Sequence, residues 1–171
     1  MLTAADLLGM SRAGLEAIIA EGHPIDPDAI ADKEYRGVSL GLPVLVEKLT
    51  WKTFKKAFHR DRNGLRGWNV RIEQTGLAPP FVTRQRRGVP WTFGHYAVEV
   101  RSTGLLLDYG RFAGRLDPLR FVRDPVVAVR QGDHDLLLGT TYLDLPTGRV
   151  ATPSFFSLEL DGPISHRPVL T

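Results

Sequence analysis

The chain has 171 residues and no cysteine, with 22 Lys and Arg against 19 Asp and Glu for a formal charge of +3. That length suits one domain burying about two-thirds of its unfolded surface, and the lack of thiols excludes disulfides, thiolate zinc sites and iron–sulfur clusters. Although 17 of the 22 cationic residues are arginines, so small a net charge makes nucleic acid an unexpected partner, and 43% apolar with 24% charged residues excludes a disordered chain.

The start, Met1-Leu2-Thr3-Ala4-Ala5-Asp6, lacks the basic region of a secretory signal, and no later segment reaches bilayer-spanning length; the expectation is a cytoplasmic protein. Residues 3–21 read as helical. Thr3 with Asp6 three positions on resembles a capping box, and Leu8, Leu15, Ile18 and Ile19 form one stripe before Gly22. Gly9 and Gly14 weaken that helix and predict a break near Ser11. Asp26-Pro27-Asp28 then supplies an N-cap with proline at the first helical position.

From Lys33 the pattern changes. Glu34 to Val38 reads as a first strand and Pro43 to Leu49 as a brief helix. Residues 43–59 also admit one amphipathic helix, with Leu42, Leu45, Val46 and Leu49 on one face and Lys48, Lys52, Lys55, Lys56 and Arg60 on the others, suited to an anionic membrane surface. The aromatics Trp51, Phe54 and Phe58 and the β-branched Thr50 and Thr53 favour a helix ending near Leu49 and a strand after it.

Turn signals then recur at hairpin spacing. Trp51–Arg60 and Leu65–Gln74 flank Asp61-Arg62-Asn63-Gly64, where Asn-Gly marks a tight turn. Residues 75–92, with Arg84, Arg86 and Arg87, read as loop. Thr92–Arg101 and Leu105–Tyr109 form another hairpin around Ser102-Thr103-Gly104. Asp117 to Pro125 reads as a connection and Val126 to Val129 as a short strand. The last pair, Asp135–Leu145 and Arg149–Leu160, surrounds Pro146-Thr147-Gly148. About eight strands with two-sided alternation favour a closed or nearly closed antiparallel barrel, mainly β behind one or two N-terminal helices. The expected layout is a single domain over 1–171: a helical segment at 1–32, the barrel at 33–162 and a tail at 163–171.

Gly37-Val38-Ser39-Leu40-Gly41 matches G-x-S-x-G, the nucleophile elbow of serine hydrolases. Nothing downstream alternates strand with helix as that fold requires, so the competing reading is a glycine-flanked turn. The five histidines, His23, His59, His95, His134 and His166, show no metal-ligand spacing, so no metal or other cofactor is expected. Trp68, Trp91, Tyr96, Tyr109, Tyr142, Phe155 and Phe156 lie along strands, some of them facing a barrel interior. Asn69 and Arg71 share one face of their strand and would supply the few polar groups that orient a ligand. His95 sits in the aromatic run Thr92-Phe93-Gly94-His95-Tyr96, where simple alternation puts Phe93, His95 and Ala97 on one face. The candidate ligand-binding residues are thus Trp68, Asn69, Arg71, Trp91, His95, Tyr109 and Tyr142, with no catalytic residue assigned.

Three stretches, Tyr35 to Gly41, Leu49 to Phe54, and the ending Leu136 to Tyr142 with Ser154 to Glu159, resemble the lipocalin-like, or calycin-like, GXWXG type of domain of unknown function. Ser39 stands where that pattern has tryptophan. The resemblance implies a lipocalin-like barrel that binds an apolar small molecule; it brings no catalytic residue. The first expected function is therefore non-enzymatic binding of a small apolar or amphipathic, lipid-like ligand. The alternative is a structural or interaction protein whose arginine loop or basic segment 48–60 docks an acidic protein or a membrane surface. The third is a small serine hydrolase using Ser39.

Overall fold

The computed structural model describes residues 2–40, 52–77 and 81–169. Thr3 opens α1 (Ala4–Gly9): its hydroxyl accepts from Asp6 N while Thr3 N donates to the Asp6 carboxylate at 2.8 Å. Ser11 caps a second helix, α2 (Arg12–Glu21), so the stretch 3–21 breaks at Met10-Ser11. Asp26 accepts from Asp28 N and starts α3 (Pro27–Ile30).

The strands follow as β1 (Lys33–Leu40), β2 (Thr53–Asp61), β3 (Gly64–Val70), β4 (Gln85–Arg86), β5 (Val89–Pro90), β6 (Thr92–Arg101), β7 (Gly104–Asp108), β8 (Val122–Arg130), β9 (Asp133–Leu145) and β10 (Gly148–Pro163). Two 3₁₀ turns, Tyr109–Arg111 and Pro118–Phe121, join β7 to β8. The brief helix expected at Pro43 to Leu49 lies outside the described residues. The single helix over 43–59 is corrected, because residues 53–59 belong to β2 and pair with both β1 and β3. The connection expected at Asp117 to Pro125 is shorter than that, since β8 already begins at Val122. A proline inside a strand argues against one from sequence, yet Pro125 sits in register with Leu106. Within the loop-like 75–92, β4 and β5 form a small hairpin turning at Arg87 and Gly88.

Eight strands close into one antiparallel barrel in the order β1-β10-β9-β8-β7-β6-β3-β2, a meander whose last strand returns to its first. Inward residues at one end and through the middle fill the lumen: Tyr35, Phe58, Tyr96, Leu107, Leu137 and Leu158, with Ile25 before α3 and Ile30 at its end completing the same cluster. Each such burial contributes about 1.5–3 kcal/mol. On the outside, Leu7 and Leu15 of α1 and α2 pack with Val127, Leu136, Leu138 and Phe155. Trp68, Ala57 and Val70 make a separate outer cluster covered by Ile164. Residues after β10 are fastened, for Ile164 N donates to Asp32 O at 3.0 Å and the Ser165 hydroxyl donates to Glu34 at 2.8 Å. Among the described residues no helix is long and apolar enough to cross a membrane.

Candidate functional site

Glycines at inward positions set the geometry of the unfilled end. A Cβ on Gly37 would stand 2.2 Å from the Phe54 ring, one on Gly67 2.4 Å from Tyr96, and one on Gly139 2.2 Å from Phe156. The three rings therefore occupy space that any side chain at those glycines would take. Beside two of these rings the lumen opens as a cup of about 240 Å³, walled by Phe54, Phe93, Leu119, Val122 and Phe156, with Ser39, Thr141 and Ser154 supplying hydroxyls.

The floor of the cup is polar. Lys56 alternates with Phe54 and Phe58 on the inward face of β2, and its side chain is only 3% exposed. Its ammonium donates to Tyr109 Oη at 2.5 Å, Asn69 Oδ1 at 3.0 Å and Asp124 Oδ2 at 3.2 Å. Tyr109 in turn donates to the same Asp124 oxygen at 2.9 Å, and the Thr141 hydroxyl donates to the other at 2.8 Å. Asn69 is held by the Gly94 carbonyl, to which its Nδ2 donates at 3.1 Å. The rings of Phe54, Tyr96, Tyr109 and Phe156 surround the ammonium at 5.1–5.6 Å to their centroids.

Burial holds Lys56 below the ordinary lysine value, and the Asp124 carboxylate opposes part of that fall. Burial, reinforced by Asp124, pushes the Tyr96 and Tyr109 hydroxyls well above theirs. The result is an ammonium whose three protons are all engaged, under an apolar wall and against one carboxylate.

Of the seven candidate residues, this cup contains Asn69 and Tyr109. Trp68 and His95 stand on the outer face of the barrel with ring centroids 6.2 Å apart. The expected sharing of a face by Phe93, His95 and Ala97 is corrected: at Gly94 (φ +53) the strand bulges, so Phe93 pairs with Asn69 and Tyr96 with Gly67, both turned inward. His95, half-buried beside Trp68 and Phe112, has its imidazole pKa lowered by burial and by the nearby Arg66. The Arg71 guanidinium lies over Trp91 at 4.4 Å with Arg86 on the same ring at 5.6 Å, and none of these lines the cup. Tyr142 packs against Arg149 at 5.2 Å while its neighbour Thr141 takes the inward position.

Ser39 lines the cup from within β1, where it pairs with Phe156 and its N–H donates to Lys52 O. It therefore occupies a ladder position and not a sharp strand-to-helix elbow; Gly41, the motif's last residue, lies outside the described residues. No described histidine lines the cup. Within the basic segment, Lys55 is paired with Asp161 at 2.6 Å and Glu34 at 3.6 Å, and Lys56 points into the lumen.

Sequence reasoning missed Lys56, Asp124 and Thr141. The alternation Phe54-x-Lys56-x-Phe58 was the available signal: it places a cation on an otherwise aromatic strand face. Compared with known families, curated proteins and solved structures, this chain gives no match.

Proposed function

We propose that this protein is a lipocalin-like, non-enzymatic binding module whose barrel mouth receives a compact, mainly apolar molecule. The supporting observation is the cup itself: aromatic and aliphatic walls above a floor in which a buried cation, carboxylate, amide and phenol are satisfied by one another. Pockets for drug-sized ligands run to about 300–1,000 Å³, so a cup of about 240 Å³ suits a single ring or a short chain and not a two-tailed lipid. Because the floor is internally neutral, a neutral or amphipathic molecule fits it better than a free anion. The walls provide the affinity, and the hydroxyls of Ser39, Thr141 and Ser154 provide the few polar contacts that orient the guest.

The test fills the cup. Benzyl alcohol titrated into the native protein should shift amide resonances of Phe93, Tyr109 and Thr141 in two-dimensional NMR. Ser39→Trp, which puts an indole where the cup now is, should weaken that binding at least tenfold while the amide spectrum stays dispersed. Binding of equal strength in Ser39→Trp, or shifts confined to the outer face, would reject the cup as the ligand site.

A further inference from the structure

We infer that Lys56 forms an imine with a small aldehyde or ketone that enters the cup. This rests on the ligand-binding reading above and gives the guest a chemical class. Three observations carry it.

The first is position. Lys56 is the lysine among the described residues that lines the cup, and its amine stands at the foot of walls made by Phe54, Phe93 and Phe156. Imines lose to water in open solution, and apolar walls around the bond disfavour the competing hydrolysis. The second is the arrangement of proton carriers. Asp124 Oδ2 lies 3.2 Å from the amine, and Tyr109 Oη lies 2.5 Å from the amine and 2.9 Å from that carboxylate. The third is that a carbonyl guest cannot hydrogen-bond to the ammonium without displacing a partner, because Asn69, Tyr109 and Asp124 already take its three protons. Burial that lowers the lysine's pKa is the usual way an amine becomes nucleophilic.

The chemistry closes without any added reagent. The ammonium passes one proton to Asp124. The freed lone pair on Nζ attacks the carbonyl carbon, the C–N bond forms, and the carbonyl π electrons move to oxygen. A second proton leaves nitrogen for that oxygen, giving a neutral carbinolamine, with Tyr109 placed to relay it. The C–O bond then breaks, and the oxygen departs as water carrying the proton held by Asp124. What remains is a protonated imine paired with the Asp124 carboxylate, so the charge of the floor is the same before and after. Asp124 acts here as a proton carrier, and Asn69 helps to hold the amine in place.

Benzaldehyde with sodium cyanoborohydride, followed by peptide mapping, tests the step on the native full chain. Lys56 should carry most of the reduced adduct, ahead of Lys33, Lys48, Lys52 and Lys55, and benzyl alcohol should suppress that labelling by competition. Asp124→Asn should slow labelling of Lys56 about a hundredfold, within the range of positioned proton transfer, and leave labelling of the other lysines unchanged. Adducts only on the other lysines, with benzyl alcohol still binding the cup, would overturn the imine and leave the binding module standing. Failure of benzyl alcohol to bind, with no adduct on Lys56, would overturn both. An adduct on Lys56 that forms equally fast in Asp124→Asn would overturn the assigned proton path.

Discussion

Lys56 is buried against Asp124, whose carboxylate opposes the fall that burial imposes on its pKa, and removing it should be costlier than removing a surface lysine. Lys56→Met would leave Asp124 buried with Tyr109 and Thr141 as donors but no cation, a loss of about 3–5 kcal/mol read from urea unfolding. Pairing it with Asp124→Leu should recover part of that loss, because an uncompensated carboxylate and not a missing attraction is the larger penalty; equal losses in single and double variants would contradict the ion pair. At this scale the sequence was legible in part: Asn69 stood out as a polar residue sharing a strand face with Arg71, and Tyr109 as one of the aromatics along the strands. Lys56 was obscured because it adjoins Lys55, and two adjacent lysines read as a solvated basic run even though strand alternation sends them to opposite faces. Asp124 was obscured by Pro125, which made its segment look like a connection.

The long hairpins β2–β3, β6–β7 and β9–β10 were the most readable elements, since Gly64, Gly104 and Gly148 mark their turns, whereas the short β4–β5 hairpin was read as loop despite Gly88. Their energetics differ in a way the letters do not convey. Gly104 (φ +148) and Gly148 (φ +126) close the β6–β7 and β9–β10 turns with similar backbones. A Cβ on Gly148 would meet nothing within 4 Å, whereas one on Gly104 would lie 2.1 Å from the Val126 carbonyl oxygen on the neighbouring strand. Gly148→Ala should therefore cost about 1 kcal/mol of backbone strain, and Gly104→Ala appreciably more, up to about 3 kcal/mol, measured as the difference in denaturant midpoints. Equal costs would mean that β7 and β8 can part at that point without penalty. The bulge at Gly94 lay beyond pattern reading, because inserting one residue reverses the alternation on which the assignment of Phe93 and His95 depended.

Across the whole molecule, the lumen holds three tyrosines that are buried in the folded state. Tyr35, Tyr96 and Tyr109 all have values raised above the ordinary 10.0, by burial first and by nearby carboxylates second. Below pH 10 these groups hold their protons whether the chain is folded or not, so they make stability neither rise nor fall. Above it the unfolded chain releases protons that the folded one retains, and stability falls as pH rises. Tyrosinate absorbance of these residues should therefore appear together with loss of the β-sheet circular dichroism, not before it. The barrel and its antiparallel order followed from the spacing of strands and turns; the half-filled lumen did not, since it depends on which three strands carry glycine opposite a ring.

The pairing of Lys33 with Pro163 and of Leu40 with Phe155 also governs how the chain is made. Until β10 has been synthesised, β1 has one flank unsatisfied and β9 lacks its second partner, so the nascent sheet stays open on both sides. Contacts of such long sequence separation form slowly, and the exposed flanks in the interval are where a chaperone, or another unfinished copy, would bind.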